Sequence, residues 1–189
     1  MAQQSGAVSA TPGVAEFAGG AGAVLAGPAI VAAIKAAGVE FVLSVPDITT
    51  SAGLLFPIAA DPALTLVRVC KEDEAIGIAA GLSYCDRRAL ILIQQTGLLD
   101  SVNALRGVAV DFKLPICLMV GLLNKEPGVA PAQSRLYGVR IVEPILDAMG
   151  IEHEVLETTR DVPKIGAAIA RAYADAHPTV LLIGRSPTP

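Results

Sequence analysis

Six short aliphatic runs recur along the chain: EFVLSV (40–45), LTLVRVC (64–70), RALILIQ (88–94), PICLMVG (115–121), EHEVLE (152–157) and TVLLIG (179–184). Each is bounded by Gly, Pro or charge, which is the pattern of a strand. Segments of helical period separate them, over 28–37, 72–84, 98–111, 140–149 and 161–176. Ile30 and Ile34 stand four apart and Gly38 supplies a stop; Gly150 does the same after IVEPILDAMG. Val162, Ile165 and Ile169 share one face of the last helix. Strands alternating with helices predict an α/β fold, a mostly parallel six-stranded sheet with helices on both faces. Residues 1–24, mostly Ala, Gly, Ser, Gln and Pro without a period, read as an N-terminal arm, and 25–189 as the domain.

Hydrophobic residues make up 53% of the chain and charged residues 17%, with a mean hydropathy of +0.59. A parallel sheet covered on both faces accounts for part of this, and an obligate partner chain for the rest. A membrane span does not, because the longest candidate, AGAVLAGPAIVAAI at 21–34, falls short of the roughly 20 apolar residues a bilayer needs. The first basic residue is Lys35, so no positive leader region precedes that run. The net charge of −4 and the absence of basic runs argue against nucleic acid. Cys70, Cys85 and Cys117 fit neither a zinc spacing nor a disulfide framework. Cys70 and Cys117 read as buried reduced thiols, which points to the cytoplasm.

Phosphate-loop, dinucleotide, GxSxG and HExxH motifs are missing. His153 and His177 fall away from the carboxyl ends of the strands, where ligands of such sheets collect, and read as surface residues. Four connections do lie at those ends: VPDITTS (45–51), CKEDEA (70–75), QQTGLLD (94–100) and the long GLLNKEPGVAPAQSR (121–135). Pro46 stiffens the first, and Asp47, Thr49, Thr50 and Ser51 can cap the helix that follows. Gln94, Gln95 and Thr96 offer amides and a hydroxyl, with Gly97 allowing a turn. Lys125 and Arg135 are cations of the long loop. Glu72, Asp73 and Glu74 open a helix, where its dipole favours carboxylates. One of the three, at the end of a buried strand, can share a proton with a ligand nitrogen.

Read in order, GVEFVLSVPD, KEDEAIGIAAGL, ALILIQQTGLLDSVNAL, KLPICLMVGL and EPILDAMGI resemble the pyrimidine-binding domain of thiamine-diphosphate enzymes, over about residues 28–151. Within that family the likeness is to the sulfopyruvate and phosphonopyruvate decarboxylases, above all the separate alpha subunit of sulfopyruvate decarboxylase. The resemblance implies a glutamate that touches the N1′ nitrogen of the cofactor's pyrimidine ring. In the family pattern, Ala stands seven and Gly nine residues after it; Glu72, with Ala79 and Gly81, fits that register, whereas Asp73 and Glu74 do not. It further implies cofactor contacts at Pro46, Gln95 and Thr96, and substrate contacts at Asp47, Gln94, Arg135 and Lys125. The chain departs from the family pattern at Gln95, Thr96, Leu99 and Asp100 and through the loop at 122–138. It also lacks the Gly-Asp-Gly with which such enzymes hold diphosphate through magnesium. The resemblance therefore implies a beta subunit carrying the diphosphate and magnesium. The activity expected is decarboxylation of sulfopyruvate to sulfoacetaldehyde. The alternatives are phosphonopyruvate or another anionic 2-oxo acid, a carboligase subunit, or a non-catalytic regulatory domain of the same fold.

Overall fold

The computed structural model describes residues 24–189. The arm expected at 1–24 lies, but for Val24, outside the described residues. From Gly27 onward the order is α1 (Gly27–Ala36), β1 (Phe41–Ser44), a π-type turn (Ser51–Leu55), α2 (Phe56–Ala60), β2 (Thr65–Arg68), α3 (Glu72–Tyr84) and β3 (Ala89–Gln94). There follow α4 (Gln95–Asp100), α5 (Val102–Ala104), a second π-type segment (Leu105–Val110) and β4 (Cys117–Gly121). Last come α6 (Tyr137–Arg140), α7 (Val142–Ala148), β5 (Glu152–Leu156), α8 (Pro163–Asp175) and β6 (Thr179–Ile183). Single 3-10 turns occur at Pro131–Gln133 and Thr159–Asp161.

All six expected strands form, in one sheet of order β2-β1-β3-β4-β6-β5 with every neighbouring pair parallel. The period-two pattern then divides the core. Leu43, Ile91, Ile93, Leu118, Val120, Val180 and Leu182 face one layer, built by α3, α4, the 105–110 segment and α7. Val42, Leu90, Leu92, Met119, Leu181 and Ile183 face the other, built by α1, α2 and α8. Leu90, Ile91, Leu92 and Ile93 of β3 are fully or almost fully buried. Burying each of these side chains stabilises the fold by about 1.5–3 kcal/mol before entropy is counted.

Two expectations need correction. The run at 64–70 forms an edge strand, with Thr65 and Arg68 exposed, because β2 has a neighbour on one side only. It ends at Arg68, so Cys70 lies beyond it and is exposed, whereas Cys117 is buried as expected. The second concerns QQTGLLD: no loop separates β3 from the next helix. Gln94, extended at φ −91° and ψ 159°, precedes Gln95, the first residue of α4. The stops at Gly38 and Gly150 hold, with φ of +78° and +67°, in the left-handed region that glycine enters at no steric cost. Among the described residues, no helix is long and apolar enough to cross a membrane.

The chain leaves β1 toward the α2 layer and leaves β3 toward the α4 layer, although these two strands are neighbours. Such a reversal opens a crevice at the carboxyl ends of the strands, the place where open α/β sheets bind ligands. His153 and His177 are half-buried at or just before the amino ends of β5 and β6, at the opposite edge.

Candidate active site

Four elements converge on the crevice. The first is the exit from β1. Asp47 is buried, and its two carboxylate oxygens accept from the Thr50 amide at 2.8 Å and the Thr50 hydroxyl at 2.5 Å. The Ser51 hydroxyl donates to the Asp47 carbonyl. The loop is thus tied to itself, as its capping residues suggested. It crosses the end of β3 to reach Gly121 on β4, where a β-carbon would lie 2.9 Å from Thr49 Cβ and 3.3 Å from Asp47 Oδ1. Pro46 and Ile48 stay on the surface, Ile48 at 81% exposure.

The second element is the start of α3. Three acids in its first turn meet the positive end of a 13-residue helix. Their side chains do different things. The Glu74 carboxylate turns back to accept from the amides of Cys70 at 3.0 Å and Lys71 at 3.3 Å, closing the helix start. Asp73 pairs with Lys71 at 3.4 Å, and Lys71 also reaches Asp100 at the end of α4, at 3.3 Å. The two carboxylates raise the Lys71 pKa, Asp100 more than Asp73. Glu72 is half-buried, and its carboxylate has no hydrogen-bond or ion-pair partner among the described residues.

The third element, α4, explains where Glu72 goes. A β-carbon placed on Gly97 would collide with Cγ, Cδ and Oε1 of Glu72, at 2.5 Å from Cδ; these are its three nearest atoms. The Glu72 carboxyl group therefore lies against the bare backbone of α4. The start of α4 is itself anchored, because the buried Gln95 accepts from the Leu123 amide at 2.8 Å through Oε1. The Gln94 amide donates to the Thr96 hydroxyl at 2.9 Å, and Thr96 is exposed.

The fourth element is the segment after β4. Lys125 is buried, and its ammonium pairs with Glu157 and donates to the Glu126 carbonyl at 3.0 Å. Arg135 is its opposite, 82% exposed at the side chain. Glu126 clasps the two ends of the loop, accepting from Ser134 Oγ at 2.7 Å and from Arg135 N and Nε, both at 3.1 Å. The Ser134 hydroxyl, then the backbone amide of Glu126 itself, and then the Arg135 side chain hold the Glu126 carboxyl at a pKa of about 2.

Of the eight residues singled out by sequence, Glu72, Gln94, Gln95, Thr96, Pro46 and Asp47 thus come together at the ends of β1, β2 and β3. Asp47 engages both carboxylate oxygens, and Gln95 its Oε1, in the frame. Lys125 is turned inward, and Arg135 lies outward on the loop. Sequence reasoning had read Gly97 as a turn and had left Glu157 and Leu123 unremarked. Among the described residues, no group of three or more His, Cys, Asp or Glu side chains could hold a metal ion.

The chain was compared with known proteins. No family model matches it. It is 35% identical over 105 residues to the sulfopyruvate decarboxylase subunit alpha of Methanothermobacter thermautotrophicus, a match covering 56% of this chain and 63% of that subunit. It is 29% identical over 155 residues to the subunit of the same name from Methanocaldococcus jannaschii, covering 82% of this chain and 90% of the subunit. A longer protein of Methanosarcina acetivorans, named sulfopyruvate decarboxylase, is 26% identical over 117 residues, which amount to 62% of this chain and 30% of that protein. By sequence, the chain is a relative of the sulfopyruvate decarboxylase alpha subunits.

Proposed function

We propose that this chain is the alpha subunit of a thiamine-diphosphate-dependent decarboxylase that converts sulfopyruvate to sulfoacetaldehyde and carbon dioxide. Glu72 carries the reading. It is the one acid of its cluster whose carboxylate is left unengaged, it is half-buried at the switch-point crevice, and it stands against Gly97. The names of the relatives supply the substrate. Thiamine diphosphate, when bound, supplies the electron sink for loss of carbon dioxide from a 2-oxo acid.

The residues present fit the pyrimidine half of that cofactor. Glu72 would hold the pyrimidine ring of the cofactor by offering a carboxyl oxygen to a ring nitrogen, where a proton could be shared. Gly97 bounds the carboxyl group on one side. Pro46 and Thr96 are exposed at the exits of β1 and β3, and the Asp47–Thr50 and Gln95–Leu123 bonds tie those exits down. Of the two cations of the long loop, Arg135 has its terminal guanidinium nitrogens open to an anion such as a sulfonate, whereas Lys125 has none of its side chain exposed.

The chain has no Gly-Asp-Gly, so the diphosphate and its magnesium belong on a partner subunit, with the cofactor across the interface. The Methanosarcina protein supports this division, since the stretch resembling this chain is only 30% of it. The test is to produce the chain with its partner and to measure carbon dioxide release from sulfopyruvate with and without thiamine diphosphate. Glu72→Gln should lower kcat by about 100-fold or more, the range of a lost proton-transfer group. Near-normal turnover in that variant would rule out the assigned role.

A further inference from the structure

Gly97 is the third residue of a helix, a place where glycine is unfavourable. Its φ is not positive, so the backbone there is one that any residue adopts. Helix propensity therefore argues for alanine at 97, and conformational freedom is not the reason for glycine. What remains is space: the three atoms nearest to an added β-carbon are Cγ, Cδ and Oε1 of Glu72. The seat is also held from behind. Gln95, two residues earlier, is buried and bonded to the Leu123 amide, which fixes the start of α4 against the end of β4. Lys71 bridges to Asp100 and ties the amino end of α3 to the carboxyl end of α4.

We propose that Gly97 is a positioning residue for Glu72. Its missing side chain leaves a seat that sets where the carboxyl group stands, and Gln95 anchors the helix that carries the seat. The inference rests on Glu72 being the activating acid, and it adds that the acid's placement is built into α4 and not into α3 alone. Without the seat the carboxylate swings out of line with its ring nitrogen. A misplacement of about 1 Å in such a group can cost about 100-fold in rate.

The test is a double-mutant cycle on the full chain, with Gly97→Ala, Glu72→Ala and the two together, read by thermal unfolding. Gly97→Ala should gain less Tm, or lose it, when Glu72 is present, because the Glu72 side chain must be displaced. It should raise Tm in the Glu72→Ala background, where the clash is gone and alanine is the better helix former. A change of equal size in both backgrounds overturns the proposal, because the collision is then not with Glu72. If Gly97→Ala fails to fold, recovery of folding in the double variant supports the seat, and failure of both overturns it.

In the complex with its partner, Gly97→Ala should lower kcat by about 100-fold. Gln95→Glu, which keeps an acceptor for the Leu123 amide, should retain more activity than Gln95→Leu. The two ideas fail separately. A non-additive cycle with full activity in Glu72→Gln would leave the seat standing and remove the catalytic role. An additive cycle with an inactive Glu72→Gln would do the reverse.

Discussion

The Lys125–Glu157 pair offers a quantitative test of how the long loop is held. None of the Lys125 side chain is exposed, and its ammonium has two partners, the Glu157 carboxylate and the Glu126 carbonyl oxygen at 3.0 Å. The Glu157 side chain is 26% exposed. Removing one member of a buried pair costs about 3–5 kcal/mol, because the survivor is left charged and desolvated. The two deletions are therefore unequal. Glu157→Gln removes the countercharge of an ammonium with no access to water, leaving it only carbonyl acceptors, and should cost about 3 kcal/mol, the lower end of that range. Lys125→Met keeps most of the packed stem and leaves a carboxylate that water already reaches, so about 1–2 kcal/mol is expected after discounting for solvent. For a chain of this size, about 3 kcal/mol corresponds to a fall in Tm of roughly 6–12 °C. Urea or thermal unfolding of the full chain reads both variants, and the double variant should be less damaged than Glu157→Gln alone. A contrary pattern would refute the reasoning. If Lys125→Met left stability unchanged while raising KM for an anionic 2-oxo acid, the ammonium would face a ligand and not Glu157.

Two further outcomes follow from titration and burial. The Glu126 carboxyl is depressed from its ordinary value of 4.5 to about 2, so the loop clasp is fully present above pH 4.5 and is lost as pH falls through about 2. The protection factor of the Arg135 amide, its exchange rate relative to an unstructured amide at the same pH, should hold at pH 4 and fall toward pH 2, and Glu126→Gln should lower it already at pH 7. Burial pushes the Cys117 thiol up to about 12. An alkylating reagent at pH 7.5 should therefore label the exposed Cys70 and Cys85 in the native chain and reach Cys117 only after unfolding.

Much of this architecture could be read from local pattern, and the exceptions have common physical causes. β4 and β6 are buried throughout and β3 is buried up to Gln94, so their aliphatic runs are continuous and their places were plain. The run around β2 looked the same, yet it forms an edge, because strand order is a tertiary property that hydropathy does not encode. The helix start at Glu72–Glu74 was legible because it is a local event, but it did not tell the three acids apart; only the register of Ala79 and Gly81 in the family resemblance pointed to Glu72. The reason for Gly97 was not legible, because a glycine after a strand reads as a turn, whereas here it gives room to a side chain from another helix. Lys125 was opaque for a similar reason. A lysine reads as solvated until its partner is known, and Glu157 is 32 positions away. The frame bond of Gln95 was likewise hidden, because its partner, the Leu123 amide, is 28 positions away.

The central claim is that Glu72 activates a bound thiamine diphosphate through the pyrimidine ring. The most direct measurement is the rate at which the C2 proton of the cofactor exchanges with deuterated solvent, with the chain and its partner assembled and no 2-oxo acid present. Exchange in the Glu72→Gln complex should be slower by about 100-fold or more, with the cofactor still bound. Equal exchange rates in the two complexes would contradict the account.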